Sequence, residues 1–228
     1  MKRDRKCELY FEEIGDKFED WMSMYDVNQR IQLIKKSIPS DAFRMSCLEV
    51  GCGTGRISQA LAPLVKSLTV SDISENLAKK VGEKLEVNWM KQDACDLNIS
   101  DESFDMVISS ECIEHTPNPK RALAEMARVL KRGGFIMVTS PNKLWYPLLW
   151  LSMVTKIRQF EGNEKWLSPW AAANTLNNNG ITHCKIGGCH LFPWQIPLAK
   201  YVLPIFDRFD KFFYPLMINY GIYGRKCH

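Results

Sequence analysis

The sequence predicts an α/β fold, a mostly parallel sheet with helices on both faces. Two observations carry that prediction. Five short apolar runs, near 46–50, 67–71, 86–90, 104–109 and 134–140, alternate with segments of helical apolar spacing. Alternation of strand and helix is the pattern that buries both faces of a parallel sheet. The first run also leads straight into Gly51-Cys52-Gly53-Thr54-Gly55, a glycine turn that opens the next helix. Glycines at alternate positions let the backbone pass φ > 0 and let a ligand lie against bare main chain. In an open parallel sheet such a ligand binds beyond the carboxyl ends of the strands.

The elements follow in order. Residues 8–38 carry helical spacing, with Phe11, Ile14, Phe18 and Trp21, then Val27, Ile31, Ile34 and Ile38, ended near Pro39. They read as cap helices ahead of the sheet. Asn118-Pro119 is a helix start, with Asn as N-cap and Pro in the first turn. Ser168-Pro169-Trp170 starts another helix that ends at Asn177–Gly180, before a sixth strand at 181–188 and a last strand near 217–226. Two insertions stand out, 143–166 and 189–216, both rich in Trp, Phe, Tyr, Leu and Pro. Pro141, Pro147, Pro193, Pro197, Pro204 and Pro215 are expected to interrupt regular structure there and favour a folded-over cover.

Composition narrows the class. With 228 residues, 46% hydrophobic and 25% charged, the chain suits an ordinary globular protein of one or two domains. A net charge of +4 is too mild to require nucleic acid, and Met1–Lys6 reads as a solvated tail. Charged residues crowd the first eight positions, so no signal sequence is expected, and the eight cysteines then suit reduced thiols in a cytoplasmic protein. His183-Cys184 and Cys189-His190 invite a metal reading, but in one strand Cys184 and Cys189 face opposite ways. No run of 18 apolar residues predicts a membrane span; Leu144–Val154 is apolar but short and contains Pro147.

The glycine spacing argues against two phosphate sites. A dinucleotide fingerprint wants a glycine where Arg56 stands, and the Lys-Ser/Thr of a P-loop is missing. Glu49 would repel a pyrophosphate but suits an ammonium and a sulfonium. Asp72 follows the second apolar run, Leu68-Thr69-Val70, where an acid grips ribose hydroxyls. With these residues the chain resembles the class I S-adenosylmethionine-dependent methyltransferases, in the type 11 branch, whose first motif reads much like Leu48–Gly55. Asp93-Ala94-Cys95, Ser103–Ile108, Glu111–Pro119 and Val129–Gly134 resemble its later motifs in the same order, so the likeness covers roughly 45–142. It implies a Rossmann-like, seven-stranded sheet in one domain over 1–228: cap helices in 1–44, a cofactor-binding core in 45–142, and the rest of the sheet with lid-like insertions in 143–228. It also implies S-adenosylmethionine contacts from Glu49, Gly51, Cys52, Gly53, Gly55, Asp72, Ile73, Asp93, Ala94 and Ser110. For the acids the alternative is a strand-end residue that caps a helix or pairs with a lysine.

The acceptor side is the loop after the fourth strand. His115 is the best available base, since imidazole titrates near working pH; its other reading is a hydrogen bond that holds the loop. The remaining histidines sit in the tail or the late strand, away from the motif cluster. Glu111-x-x-Glu114-His115 resembles the same loop of ubiquinone-biosynthesis O-methyltransferases, where the group can hold a divalent ion; a metal is not favoured here, because many type 11 enzymes with this pattern appear to need none. In those enzymes an arginine also stands near the distance of Arg30 from Gly51, which implies contact with the cofactor carboxylate; the alternative is a solvated helix face.

The expected activity is therefore methyl transfer to a small or amphipathic acceptor, O-methylation of a hydrophobic hydroxylated compound, with the aromatic insertions as lid and as a peripheral membrane contact; the other reading of the insertions is extra core around the sheet. The alternatives are N- or C-methylation of a sugar, lipid or secondary metabolite, a nicotinamide oxidoreductase, and a non-catalytic cofactor-binding module. A nucleic-acid amino-methyltransferase is disfavoured, because Ser110-Glu111-Cys112-Ile113 replaces the Asn/Asp-Pro-Pro-aromatic loop of that class.

Overall fold

A computed structural model describes residues 23–154, 164–193 and 199–227. The first cap segment, with Phe11, Ile14, Phe18 and Trp21, and the tail Met1–Lys6 lie outside the described residues. The sheet has seven strands: β1 (Ser46–Val50), β2 (Ser67–Asp72), β3 (Asn88–Lys91), β4 (Phe104–Ser110), β5 (Leu130–Pro141), β6 (Ile181–Cys189) and β7 (Asn219–Lys226). Their order is β3-β2-β1-β4-β5-β7-β6. Pairs among β1–β5 are parallel, and β7 runs antiparallel between β5 and β6. The order reverses between β1 and β4, which opens a crevice at their carboxyl ends.

The described helices are α1 (Met24–Ser37), α2 (Arg56–Leu61), α3 (Glu75–Leu85), α4 (Pro119–Val129), α5 (Tyr146–Val154), α6 (Pro169–Asn178), α7 (Ala199–Asp207) and α8 (Asp210–Phe213). Alternation along each strand sorts side chains to two cores. On one face Leu48, Val50, Val107, Ile136 and Val138 pack with Ala122, Leu123 and Met126 of α4 and Leu176 of α6. On the other Cys47, Met106, Ile108 and Met137 pack with Leu33 and Ile34 of α1, Ile57 of α2 and Val81 of α3. Three helix starts are capped by side chains: Ser74 Oγ accepts from Leu77 N at 3.3 Å, Asn118 Oδ1 from Arg121 N at 3.2 Å, and Ser168 Oγ from Ala171 N at 3.2 Å. Each satisfies an orphan N–H of a first turn.

Some boundaries move. β5 begins at Leu130, ahead of the glycines expected to precede it, because Leu130 pairs with Phe104 before a register shift and Gly133 (φ 73) absorbs the irregularity. The prolines do not all break structure as expected. Pro141 ends β5, Pro147 lies in the first turn of α5 where no intrahelical N–H is needed, and Pro204 sits inside α7. Pro197 lies outside the described residues. No described helix is long and apolar enough to cross a membrane.

Candidate active site

The glycine turn leaves β1 at the crevice and is held by its neighbours. Gly51 N and Cys52 N donate to Ser71 O at 2.8 and 3.0 Å. Gly51, Gly53 and Gly55 all take positive φ, at 78°, 51° and 83°. Their reasons differ. A Cβ on Gly51 would lie 2.4 Å from Cys112 Sγ, and one on Gly55 would lie 2.9 Å from Val81, so protein packing demands both glycines. Among the described residues a Cβ on Gly53 meets nothing within 4 Å. Only there does the bare backbone face open space. Cys52 is buried, with its Sγ 3.9 Å from Gly53 O.

Asp72, at the end of β2, is buried and already engaged. Its Oδ2 accepts from Gly53 N at 2.9 Å and its Oδ1 from Ser74 N at 3.0 Å. The acid thus shapes the turn and the start of α3 together. Burial pushes its carboxyl above the usual range, against these N–H donors. Ile73 beside it is partly exposed. After β3, Asp93 Oδ1 accepts from Cys95 N at 2.8 Å, and Ala94 is buried at the edge of the first core.

Glu49 departs from the expectation of a direct grip on an ammonium or sulfonium. It is 1% exposed, on the α2 side of β1, beneath the turn. Burial raises its carboxyl to about 8, with Ser58 pulling the other way and Asp72 adding to the rise. The strand alternation that the sequence displays also directs this side chain inward.

Across the switch point, the loop after β4 carries Ser110, Glu111, Glu114 and His115. Ser110 Oγ lies 2.8 Å from Thr139 Oγ1 and accepts from Arg30 Nη1 at 3.3 Å. Glu111 takes φ 51°, an uncommon conformation for a residue with a Cβ, and its Oε2 accepts from Asn219 Nδ2 at 2.8 Å. Burial lifts Glu111 to about 7, opposed by Arg30 and raised further by Asp26. Glu114 is enclosed and accepts from Ser140 Oγ at 3.1 Å. Burial, then the charge of Glu111, drives it well above the carboxylate range. Its ionised form is thus disfavoured, and its side chain is turned from solvent. Among the described residues no group of three His, Cys, Asp or Glu is placed to hold a metal ion, the Cys184–His190 stretch included. His115 closes the short turn Ile113–His115, partly exposed, with its N–H donating to Cys112 O at 3.1 Å.

Arg30 is buried, not on a solvated helix face. Its Nη2 donates to Asp26 Oδ2 at 2.8 Å, and its Nε has no hydrogen-bond partner among the described residues. Of the other histidines, His190 is buried directly after β6, with its Nε2 3.0 Å from Asp26 Oδ1, one helical turn before Arg30. Sequence reasoning missed Asp26, His190 and Asn219. Only Asp26 left a signal, as an acid one helical turn before Arg30.

The residues present fit S-adenosylmethionine. Gly53 offers uncluttered backbone at the turn, and the orphaned Nε of buried Arg30 suits a carboxylate. Residues 48–138 match the methyltransferase domain family. An uncharacterized protein of Methanocaldococcus jannaschii is 32% identical over 56% of this chain and 59% of its own length. The ubiquinone biosynthesis O-methyltransferase of Coxiella burnetii is 36% identical over 42% of this chain and 43% of its own. The chain thus spans about half the length of these relatives. The crystal structure of a SAM-dependent methyltransferase from Thermotoga maritima superposes with a TM-score of 0.71 at 21% identity, over 95% of this chain and 98% of that one.

Proposed function

We propose methyl transfer to oxygen for this chain, which carries a class I S-adenosylmethionine-dependent methyltransferase domain; the acceptor is a small or amphipathic, hydrophobic hydroxylated compound. The single observation that carries this reading is the shared carboxyl edge. The turn with open Gly53, and the acids Asp72 and Asp93, stand over β1–β3, while Ser110, Glu111 and His115 stand over the adjacent β4. Bound S-adenosylmethionine supplies an electrophilic methyl on a sulfonium to a nucleophile held in line with it.

The chain's own residues have the remaining tasks. Gly51–Gly55 present backbone to the cofactor, and Arg30 meets its carboxylate. Asp72 fixes Gly53 through the bond to its N–H and stands beside the ribose. His115 takes the acceptor's hydroxyl proton. Glu111, held by Asn219 and partly protonated near neutrality, keeps a polar wall beside it. Glu114 holds the loop to Ser140. His115→Ala is expected to lower kcat by roughly 10²–10⁴ with S-adenosylmethionine affinity unchanged. Full turnover in that variant on an accepted substrate would remove His115 as the base.

The two insertions support an apolar acceptor and contact with an anionic membrane surface in the cytoplasm. Leu144, Leu148, Trp150 and Leu151 in the first, and Tyr201, Ile205, Phe209 and Phe212 in the second, are exposed, Phe212 at 78%. The insertions meet where Trp145 Nε1 donates to Leu216 O at 2.9 Å. Clustered exposed apolar groups mark an interaction site. Lys143, Arg208 and Lys211 are exposed among them. In the second insertion Asp207 turns to His190 N and Asp210 to Lys36 Nζ. An apolar face with a cationic rim is the complement of an anionic lipid surface.

A further inference from the structure

Asp26 joins parts of the chain that the cofactor motifs do not include. It stands one turn before Arg30 on α1 and gives each oxygen to a different partner. Oδ2 accepts from Arg30 Nη2 at 2.8 Å, and Oδ1 meets His190 Nε2 at 3.0 Å. His190 is fully enclosed, directly after β6, in a left-handed conformation with φ 63°. It is anchored on both sides by backbone: its N–H donates to Asp207 Oδ1 at 2.9 Å and its carbonyl accepts from Ile218 N at 2.8 Å. The ring of Tyr25 lies 5.4 Å from its own. His190 is therefore a fixed post, and Asp26 reaches it from α1 with the oxygen that Arg30 does not use.

A guanidinium on a long side chain has several rotamers, and a ligand's carboxylate gains most from an arginine already aimed. One ion pair within a helix turn restrains Arg30 only as well as Asp26 is itself restrained. We propose that Asp26 and His190 are positioning residues for cofactor binding: His190 fixes Asp26, and Asp26 fixes Arg30, so that its remaining nitrogens are directed past Ser110 toward the cofactor's carboxylate. The inference rests on the reading above that Arg30 meets that carboxylate.

The test compares S-adenosylmethionine with its decarboxylated analogue by isothermal titration, on wild type, Arg30→Gln, Asp26→Asn and His190→Gln. Wild type is expected to favour the carboxylate-bearing cofactor by about tenfold to a hundredfold, the span for a hydrogen bond to a charged group. Asp26→Asn and His190→Gln are expected to lose most of that preference while binding the analogue as wild type does. A purely structural role would weaken both ligands alike and leave the ratio intact, so the ratio keeps its meaning in a less stable variant. Should Asp26→Asn fail to fold, His190→Gln alone decides, because it leaves the Asp26–Arg30 pair in place. A wild type without the preference overturns the Arg30 reading itself. A preference lost in Arg30→Gln but kept in both Asp26→Asn and His190→Gln overturns only the positioning role.

Discussion

Replacing Glu49 by Gln should flatten the fall of stability with pH. Glu49 is 1% exposed and its carboxyl is raised by burial from 4.5 to about 8. Above about pH 4.5 the unfolded chain releases this proton, while the folded chain keeps it until about pH 8. The folded state then binds more protons, so stability falls as pH rises across that window. Each pH unit is worth about 1.4 kcal/mol, and the gap of about 3.5 units sets an upper bound of about 5 kcal/mol. Glutamine fills the same space and does not titrate. Urea unfolding of both proteins in the absence of cofactor, from about pH 4.5 to about pH 8.5, gives the comparison. Glu111, raised to about 7, and Glu114, also raised by burial, slope the same way in both proteins. Only the difference between the two curves belongs to Glu49. If wild type and Glu49→Gln lose stability in parallel, Glu49 is ionised in the folded chain and its enclosure beneath the turn is wrong.

Three further outcomes follow from the site. Gly53→Val is expected to abolish S-adenosylmethionine binding, seen by titration calorimetry, and also to lower the melting temperature, because a β-branched residue is strained at φ 51° even where its Cβ meets no described neighbour; Gly51→Ala should lower the melting temperature through its own positive φ and a Cβ 2.4 Å from Cys112 Sγ. Asp72→Ala removes an acceptor shared by Gly53 N and Ser74 N and should cost both stability and cofactor affinity, each by about 1.5–3 kcal/mol; lost stability at wild-type affinity would restrict it to shaping the turn. Ile205→Glu with Phe212→Glu should release the protein from vesicles containing phosphatidylglycerol, measured by co-sedimentation, and equal binding by variant and wild type would reject that face as the lipid contact.

Much of the sheet was legible because its signals are local. A run such as Cys47–Val50 entering a glycine turn is complete within one strand–turn–helix unit, and Asn118-Pro119 specifies a helix start within three residues. The strand that begins early shows the limit: Leu130 joins β5 because Phe104, on another strand, is there to pair with it. In the site, the glycines were readable, but not that Gly51 and Gly55 answer to Cys112 and Val81 while Gly53 faces open space.

The sequence by itself determined the α/β alternation, the glycine turn, and the order of acids after successive strands, since periodicity and turn chemistry act between near neighbours. Only the tertiary structure decided which charges are buried and with whom. Asp26 and His190 are 164 positions apart, and nothing in either neighbourhood announces the other. Glu114 looks like a loop carboxylate in sequence and is a buried side chain bonded to Ser140 in the fold. An ionisable side chain's role depends on the water removed from it and on the partners that replace that water. Both are settled when distant segments converge at the carboxyl edge of the sheet.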